Sequence, residues 1–462
     1  MHIRILIIIF ALLSVSSYAK AQWEEHFSYN GCAYGGACKG GAFAGNSLAF
    51  YSYDMDNLSI NKYSKINCLS AANISAVDYS DGYFFVGYSD GAIDIVKESN
   101  LSTRTINDLK RSDVVVQKSV SSFYKYGTHL YCAFASGLLD INLSKYETRG
   151  YYKMLSSAPA ARDVVVFNDS IYVATSSGIM VASAQNNLLE NVNNWKRVAD
   201  NSSSFCDLMV IDDRLYAAMG SWGSVCDICE IPSSSQIFKK RTVQSYRGTA
   251  SKSGKALFAS VNSIAIADVK DLSQNIATIS AFSFLENGEA VSATPNLRSI
   301  SFVSPDIISC ADASQGLVIS DLSGNAERHW VNSPSNTYAH DVLFSNGTLY
   351  ATFGGLTDSY NNQNRAAGVH IFSEGKWSSY AQSGRDMIAL CANPNAPDTI
   401  YASTWGTGIM KIERGKGITQ RYNEYNSTLV DIFSPGRLYV RCGGLTFDKS
   451  GNLYVQNAET AI

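Results

Sequence analysis

The phrase "IYVATSSGIMVA", Ile171 to Ala182, joins two short apolar runs through a Ser-Ser-Gly turn, and close copies of it return along the chain. They read "YFFVGYSDGAIDIV" from Tyr83, "LYCAFASGLLDI" from Leu130, "LYAAMGSWGSV" from Leu215, "LFASVNSIAIA" from Leu257 and "IISCADASQGLVI" from Ile307. Three more follow: "LYATFGGL" from Leu349, "IYASTWGTGIMKI" from Ile400 and "LYVQNAETAI" from Leu453. A unit of this kind cannot bury its own apolar face and must stack on copies of itself. That requirement constrains the fold before any site is considered.

Each copy reads as a strand, a small-residue turn and a second strand. A further short strand precedes it, ending in Asn, Asp or Gly, as in "VVVFNDS", "LMVIDDR", "DVLFSNGT" and "LTFDKSGN". Those residues supply the positive φ that tight hairpins require. Where the pattern is clearest, a polar stretch around an aromatic follows, as in "NNWKRVAD" and "GKWSSYAQ". Four short antiparallel strands recurring every ~40 to 50 residues have the spacing of propeller blades. No convincing amphipathic helix of ~10 residues separates the strands, which argues against a parallel α/β sheet.

The chain is therefore predicted to be all-β. A seven-bladed β-propeller is expected over residues 22–330, followed over 331–462 by the first blades of a second, incomplete propeller. "QWEEHFSY", from Gln22, is expected to close the first ring by joining its last blade. An unclosed row of three blades would expose an apolar sheet face, so the chain is expected to be part of a longer polypeptide.

Residues 1–21 read as a secretory signal peptide: Arg4 in a short n-region, an apolar run from Ile5 to Val15, and the small-residue site Ala19-Lys20-Ala21. The apolar run falls short of the ~20 residues of a membrane-spanning helix. No later stretch is apolar enough to span. An exported protein, in the periplasm or at the outer-membrane cell surface, is the expectation. With a formal net charge of -3 and 17% charged residues, the chain has no basic field to hold a phosphate backbone, which argues against nucleic acid as a partner.

Ten cysteines in an exported chain raise the question of disulfides. Cys132, Cys310 and Cys391 lie in apolar strand-like runs and read as small hydrophobes. Cys32 and Cys38 sit in a Gly-rich segment where a local bridge is feasible. "CDIC" is the one C-x-x-C, and it lacks the second pair or nearby histidines of a zinc site and the βαβ context of a redox motif. A local disulfide between Cys226 and Cys229, or two free thiols, is the reading.

Other motifs dissolve in context. "GYSDG", Gly87 to Gly91, matches a nucleophile elbow, but both flanks are strand-like, so Ser89 reads as a hairpin-turn residue. The calcium-loop fragment "FDKSGN", from Phe447, lacks its closing acid. Asp212 and Asp213, read as strand neighbours, would point to opposite faces and make poor partners for acid/base work. The six histidines are scattered. No catalytic residue, metal ligand or cofactor is predicted, and binding residues are left unassigned.

Three ordered stretches resemble a known family. "QWEEHFSYN", "YSYDMDNLSINKYSKINCLSAANISAVDYSDGYFFVGYSDGAIDIV" and "INDLKRSDVVVQKSVSSFYKYGTHLYCAFASGLLDINL" are similar to the first propeller of the PorZ family, components of the type IX secretion system of Bacteroidetes. The later "HDVLFSNGTLYATFGG", "GVHIFSEGKWSSY" and "NAPDTIYASTWGTGIMKIERGK" resemble the opening of its second propeller. The resemblance implies a non-enzymatic member of an outer-membrane attachment complex. Its partners would be a sortase and other complex subunits, and it would help deliver anionic lipopolysaccharide to the sortase that modifies secreted cargo. The cassettes alone also resemble the propellers of two-component regulators, so an exported glycan-sensing region of a hybrid regulator is the alternative. A propeller-fold glycan lyase or hydrolase ranks last, because no residue set supports it.

Overall fold

The computed structural model describes residues 25–458, apart from 114, 434 and 435. The predicted signal peptide lies outside them. The recurring phrases supply the central strands of antiparallel sheets. In one such sheet Ser170–Thr175 pairs with Gly178–Ser183, with Ala161–Phe167 on the inner side and Lys196–Arg197 on the outer. The turn chemistry is as expected: Asn168 and Asp169 both hold positive φ (46° and 55°), as do Asp212 and Asp213 (49° and 56°).

Among the described residues, seven sheets follow one another over 34–63, 74–106, 120–152, 161–197, 205–243, 246–279 and 282–329. Their innermost strands are Tyr34–Cys38, Ile74–Ser80, Val120–Tyr126, Ala161–Phe167, Phe205–Ile211, Tyr246–Lys252 and Leu297–Phe302. Each touches the next, and the last returns to the first, so the row closes into a ring. Apolar clusters fill the gap between every pair of neighbouring sheets, including the gap between the last and the first. Each sheet face is thereby covered by the next blade, as the stacking argument requires. The all-β propeller expectation holds.

Ring closure differs from the expected strand exchange. The last sheet takes all its strands from 282–329, with Asn325–His329 outermost in the blade and an added hairpin, Phe282–Glu286 and Glu289–Ala293, paired parallel beyond it. Residues 25–33 form no strand. They fill the seam between first and last sheets with side chains instead: Tyr29 and Cys32 pack with Tyr51, Leu317 and Ile319. The Asn46 side chain holds this segment by donating to the Ser28 and Asn30 carbonyls at 2.8 and 2.9 Å. Close approach at the seam needs a glycine at Gly35, where a Cβ would fall 2.5 Å from the Phe43 carbonyl oxygen and 2.9 Å from the Ala311 Cβ.

Three further sheets follow over 342–382, 387–422 and 442–457, the last with two described strands. Their inner strands, Val342–Ser345, Met387–Asn393 and Cys442–Phe447, lie side by side in chain order. The N-terminal segment reaches this part too, where His26 lies against Phe372 and Trp377 and accepts the Trp377 indole N–H at 3.2 Å.

Candidate functional site

The seven inner strands of the ring wall an axial channel with a cavity of about 700 Å³. Six of the seven share a local irregularity. Their register slips by one residue at one end, leaving an extra residue: Ser75, Ser121, Arg162, Cys206, Arg247 and Arg298. Such a β-bulge bends the strand and re-aims the extra side chain. Five of these six line the channel, and three of the five are arginines.

None of these three guanidinium groups makes a direct ion pair among the described residues. Arginine ion pairs among the described residues fall at Arg214, Arg328 and Arg414, and none involves Arg162, Arg247 or Arg298. Arg162 is held by neutral groups, donating to the Ser204 hydroxyl at 2.8 Å and more loosely to the Gly220 carbonyl and the Ser221 hydroxyl. The buried Nε of Arg247 has no hydrogen-bond partner. Burial, and secondarily the like charge of Arg298, push the Arg247 guanidinium below its ordinary pKa. An arginine held this way is poised for an anion with paired oxygens, such as a carboxylate or phosphate. Trp222, 47% exposed, stands in the same mouth, stacked on Tyr246 with ring centroids 5.3 Å apart. Its loop is pinned where the Gly223 amide donates to the Tyr246 carbonyl at 2.9 Å, and the Tyr246 amide donates to Ser224 at the same distance.

Three carboxyls, Asp78, Asp163 and Asp207, also line the cavity. Asp78 faces the open channel and is itself exposed to solvent there, and the surrounding protein pushes its carboxyl up to about 7. Asp163 and Asp207 share a hydrogen bond, and burial raises both. The charge of Asp163 raises Asp207 further. Tyr246 donates its hydroxyl to Asp207. The Asp163 carboxylate accepts the Leu208 amide of the next sheet at 2.8 Å.

The residues singled out from the sequence fall elsewhere. Ser89 sits in the turn between Tyr83–Tyr88 and Ile93–Lys97, its amide bonded to the Asn73 carbonyl. Asp212 and Asp213 are exposed turn residues rather than strand neighbours, so the alternation argument does not apply to them. In "FDKSGN" the Asp448 carboxylate is occupied by the Ser450 and Asn452 amides and the Asn452 side chain. Among the described residues, no group of three or more His, Cys, Asp or Glu is placed to hold a metal ion.

In the structure no two of the ten cysteines are bonded to each other, and Cys132 and Cys310 are fully buried among apolar side chains. Cys226 and Cys229 are not brought together. They lie three residues apart on one strand, Cys226–Ser233, where Cα atoms at that separation are ~10 Å apart and side chains point to opposite faces. A disulfide needs Cα atoms within about 7 Å. The sulfur nearest Cys226 is that of Cys206, at 3.8 Å.

One solved structure agrees with this architecture. A solved structure of PorZ from Porphyromonas gingivalis, described as an essential bacterial surface component of the type-IX secretion system, superposes with a TM-score of 0.76 at 16% identity, over 94% of this chain. The chain spans 57% of the length of that protein. A designed protein, Ika8, gives a TM-score of 0.38 at 11% identity, covering 73% of this chain and 95% of its own. The Cps50 (Swd1) β-propeller domain of Myceliophteria thermophila gives 0.47 at 9% identity, covering 65% and 98%. No curated protein matches the chain in sequence. No helix among the described residues is long and apolar enough to cross a membrane. Residues 42–196 match the family described as the type IX secretion PorZ N-terminal β-propeller domain, so this part of the chain is similar to the N-terminal propeller of PorZ.

Proposed function

We propose that this chain acts as a non-enzymatic component of the type IX protein secretion system, in an outer-membrane attachment complex. It would help deliver anionic lipopolysaccharide to the sortase that modifies secreted cargo. In this reading residues 1–21 are a signal peptide, 22–330 the first propeller and 331–462 the first blades of a second. The protein is exported to the periplasm or the outer-membrane surface, and its partners are the sortase and other complex subunits.

The observation that carries the ligand part is the channel mouth, where Arg162, Arg247 and Arg298 converge without a carboxylate partner beside an exposed Trp222. Arginine forks suit the carboxylate or phosphate of an acidic glycan, and an indole offers an apolar face to a sugar ring. A glycan sensor could use the same mouth; the similarity to PorZ supports the secretion reading over it.

The test is titration of the purified chain with purified anionic lipopolysaccharide and, separately, with a neutral polysaccharide. Saturable binding of the anionic ligand is expected, falling with added salt and at least tenfold weaker in an R162A/R247A/R298A triple variant. Equal binding of the neutral polymer, or an unaltered affinity in the triple variant, overturns the assignment of this mouth.

A further inference from the structure

We infer that Cys206 and Cys226 are joined by a disulfide in the exported protein, and that this link staples the loop 220–225, with Trp222, to the channel mouth. The proposal rests on the export reading above, since that compartment favours disulfides.

The two thiols are the only cysteine pair whose sulfurs meet among the described residues, at 3.8 Å, and both side chains are fully buried in one apolar cluster. Cys206 is the bulge residue of its strand, re-aimed away from the channel that the other bulge residues line. Cys226 opens the strand that follows the loop. Each thiol has one further contact, Cys206 with the Ala218 carbonyl at 3.7 Å and Cys226 with the Ser221 carbonyl at 3.4 Å. Neither contact is strong enough to fix its thiol against rotation toward the other. Closing the gap to the ~2.05 Å of an S–S bond takes a shift of under 2 Å.

The reaction is a thiol–disulfide exchange with a disulfide oxidant, either an oxidoreductase of the exported compartment or a small-molecule disulfide. The Sγ–Sγ bond forms, the oxidant's S–S bond breaks, and two electrons and two protons pass to it as two thiols. The covalent loop encloses the hairpin Phe205–Ile211 and Arg214–Met219 together with 220–225. In this loop the Gly220 carbonyl and Ser221 hydroxyl steady Arg162, and Gly223 lies against the Arg247 guanidinium. Fixing it preorganises two of the three arginines.

The experiment uses the full chain purified from the exported fraction, alkylated without reduction and mapped by tryptic mass spectrometry. Arg214 separates the two sulfurs into different peptides, so the link appears as a crosslinked pair, with fragmentation placing it at Cys226 and leaving Cys229 alkylated. The expected result is that pair, retained in C229S and absent in C226S. Alkylation of both Cys206 and Cys226, or a bond to Cys229, overturns the link. Hydrogen exchange at the Gly223 amide should rise on reduction in the wild type and be unaffected by reductant in a C206A/C226A variant; no change in the wild type overturns the stapling role. Neither readout requires the mouth to bind anything, so failure here is separable from failure of the glycan reading.

Discussion

Asp163 accepts the backbone amide of Leu208, 2.8 Å away on the inner strand of the next sheet, and Asp341 accepts that of Leu390 at the same distance after the ring. In both places a carboxylate at the start of one inner strand bonds the amide three residues past the first residue of the next. The apolar clusters join blades by their faces; this contact joins them along the axis.

Replacing Asp341 with alanine leaves the Leu390 amide without its acceptor. Hydrogen bonds to charged groups contribute about 1.5–3 kcal/mol, so urea denaturation should report a loss of ~2 kcal/mol for D341A. D341N, which keeps an acceptor oxygen, should lose less than half as much. Equal losses in the two variants would mean that the bond is incidental.

The raised channel carboxyls set a pH dependence. Asp78 holds its proton up to about pH 7 in the folded chain and to about pH 4 unfolded. The folded state therefore binds more protons between those values, and stability contributed by Asp78 is present below about pH 4 and lost as pH rises through 7. D78N should flatten the profile across that window and raise Tm above pH 7 by ~2 °C. Thermal melts of both proteins at pH 5 and pH 8 measure the difference, and parallel profiles would refute the assignment.

Tyr51 ties the ends of the ring: its hydroxyl donates to the His329 carbonyl at 2.9 Å and accepts the Leu317 amide at 3.0 Å. Y51F removes both bonds while keeping the ring's volume, and leaves a buried amide unpaired at a cost of about 1–3 kcal/mol. Because the loss falls at the seam, native-state hydrogen exchange should rise first in Leu317 and its strand, with Val173 and Ala217 little changed.

Deleting residues 22–29 should destabilise the ring well beyond what eight terminal residues usually do. Burial of Tyr29 alone is worth ~2–3 kcal/mol, and the Asn46 side chain would lose one of its two carbonyl acceptors. A loss under ~1 kcal/mol in chemical denaturation would show that the seam closes without this segment.

Much of this was legible in the sequence because it is local. The hairpin turns at Asn168 and Asp212 and the two central strands of most blades follow from alternation and turn chemistry within a dozen residues. The first sheet was harder to read: its central strands, "GAFAG" and "FYSYD", carry none of the Leu-Tyr-x-Ala pattern of their sisters. Ring closure was misjudged in kind, since nothing in "QWEEHFSY" distinguishes a strand from a wedge. The arginine mouth escaped notice because its members sit 85 and 51 residues apart, counting from Arg162 to Arg247 and from Arg247 to Arg298. Aligning "AARDV", "SYRGT" and "NLRSI" by their bulges would have brought them together. The cysteine pairing misled for the opposite reason: Cys226 and Cys229 are near in the chain and on opposite faces of the strand.

A last sheet built wholly from 282–329 has a consequence for how the chain acquires its shape. Every described blade is contiguous in sequence, so the chain can assemble its sheets one after another, each on the template of its predecessor. Contacts that span the whole ring, such as Tyr51 with His329 at a separation of 278 residues, bear the long-range chain-closure cost. They can form only after the last blade has arrived. The slow step of folding should therefore be a single docking event at one interface, and a chaperone guarding the folding chain would need to shield only the two blade faces awaiting it.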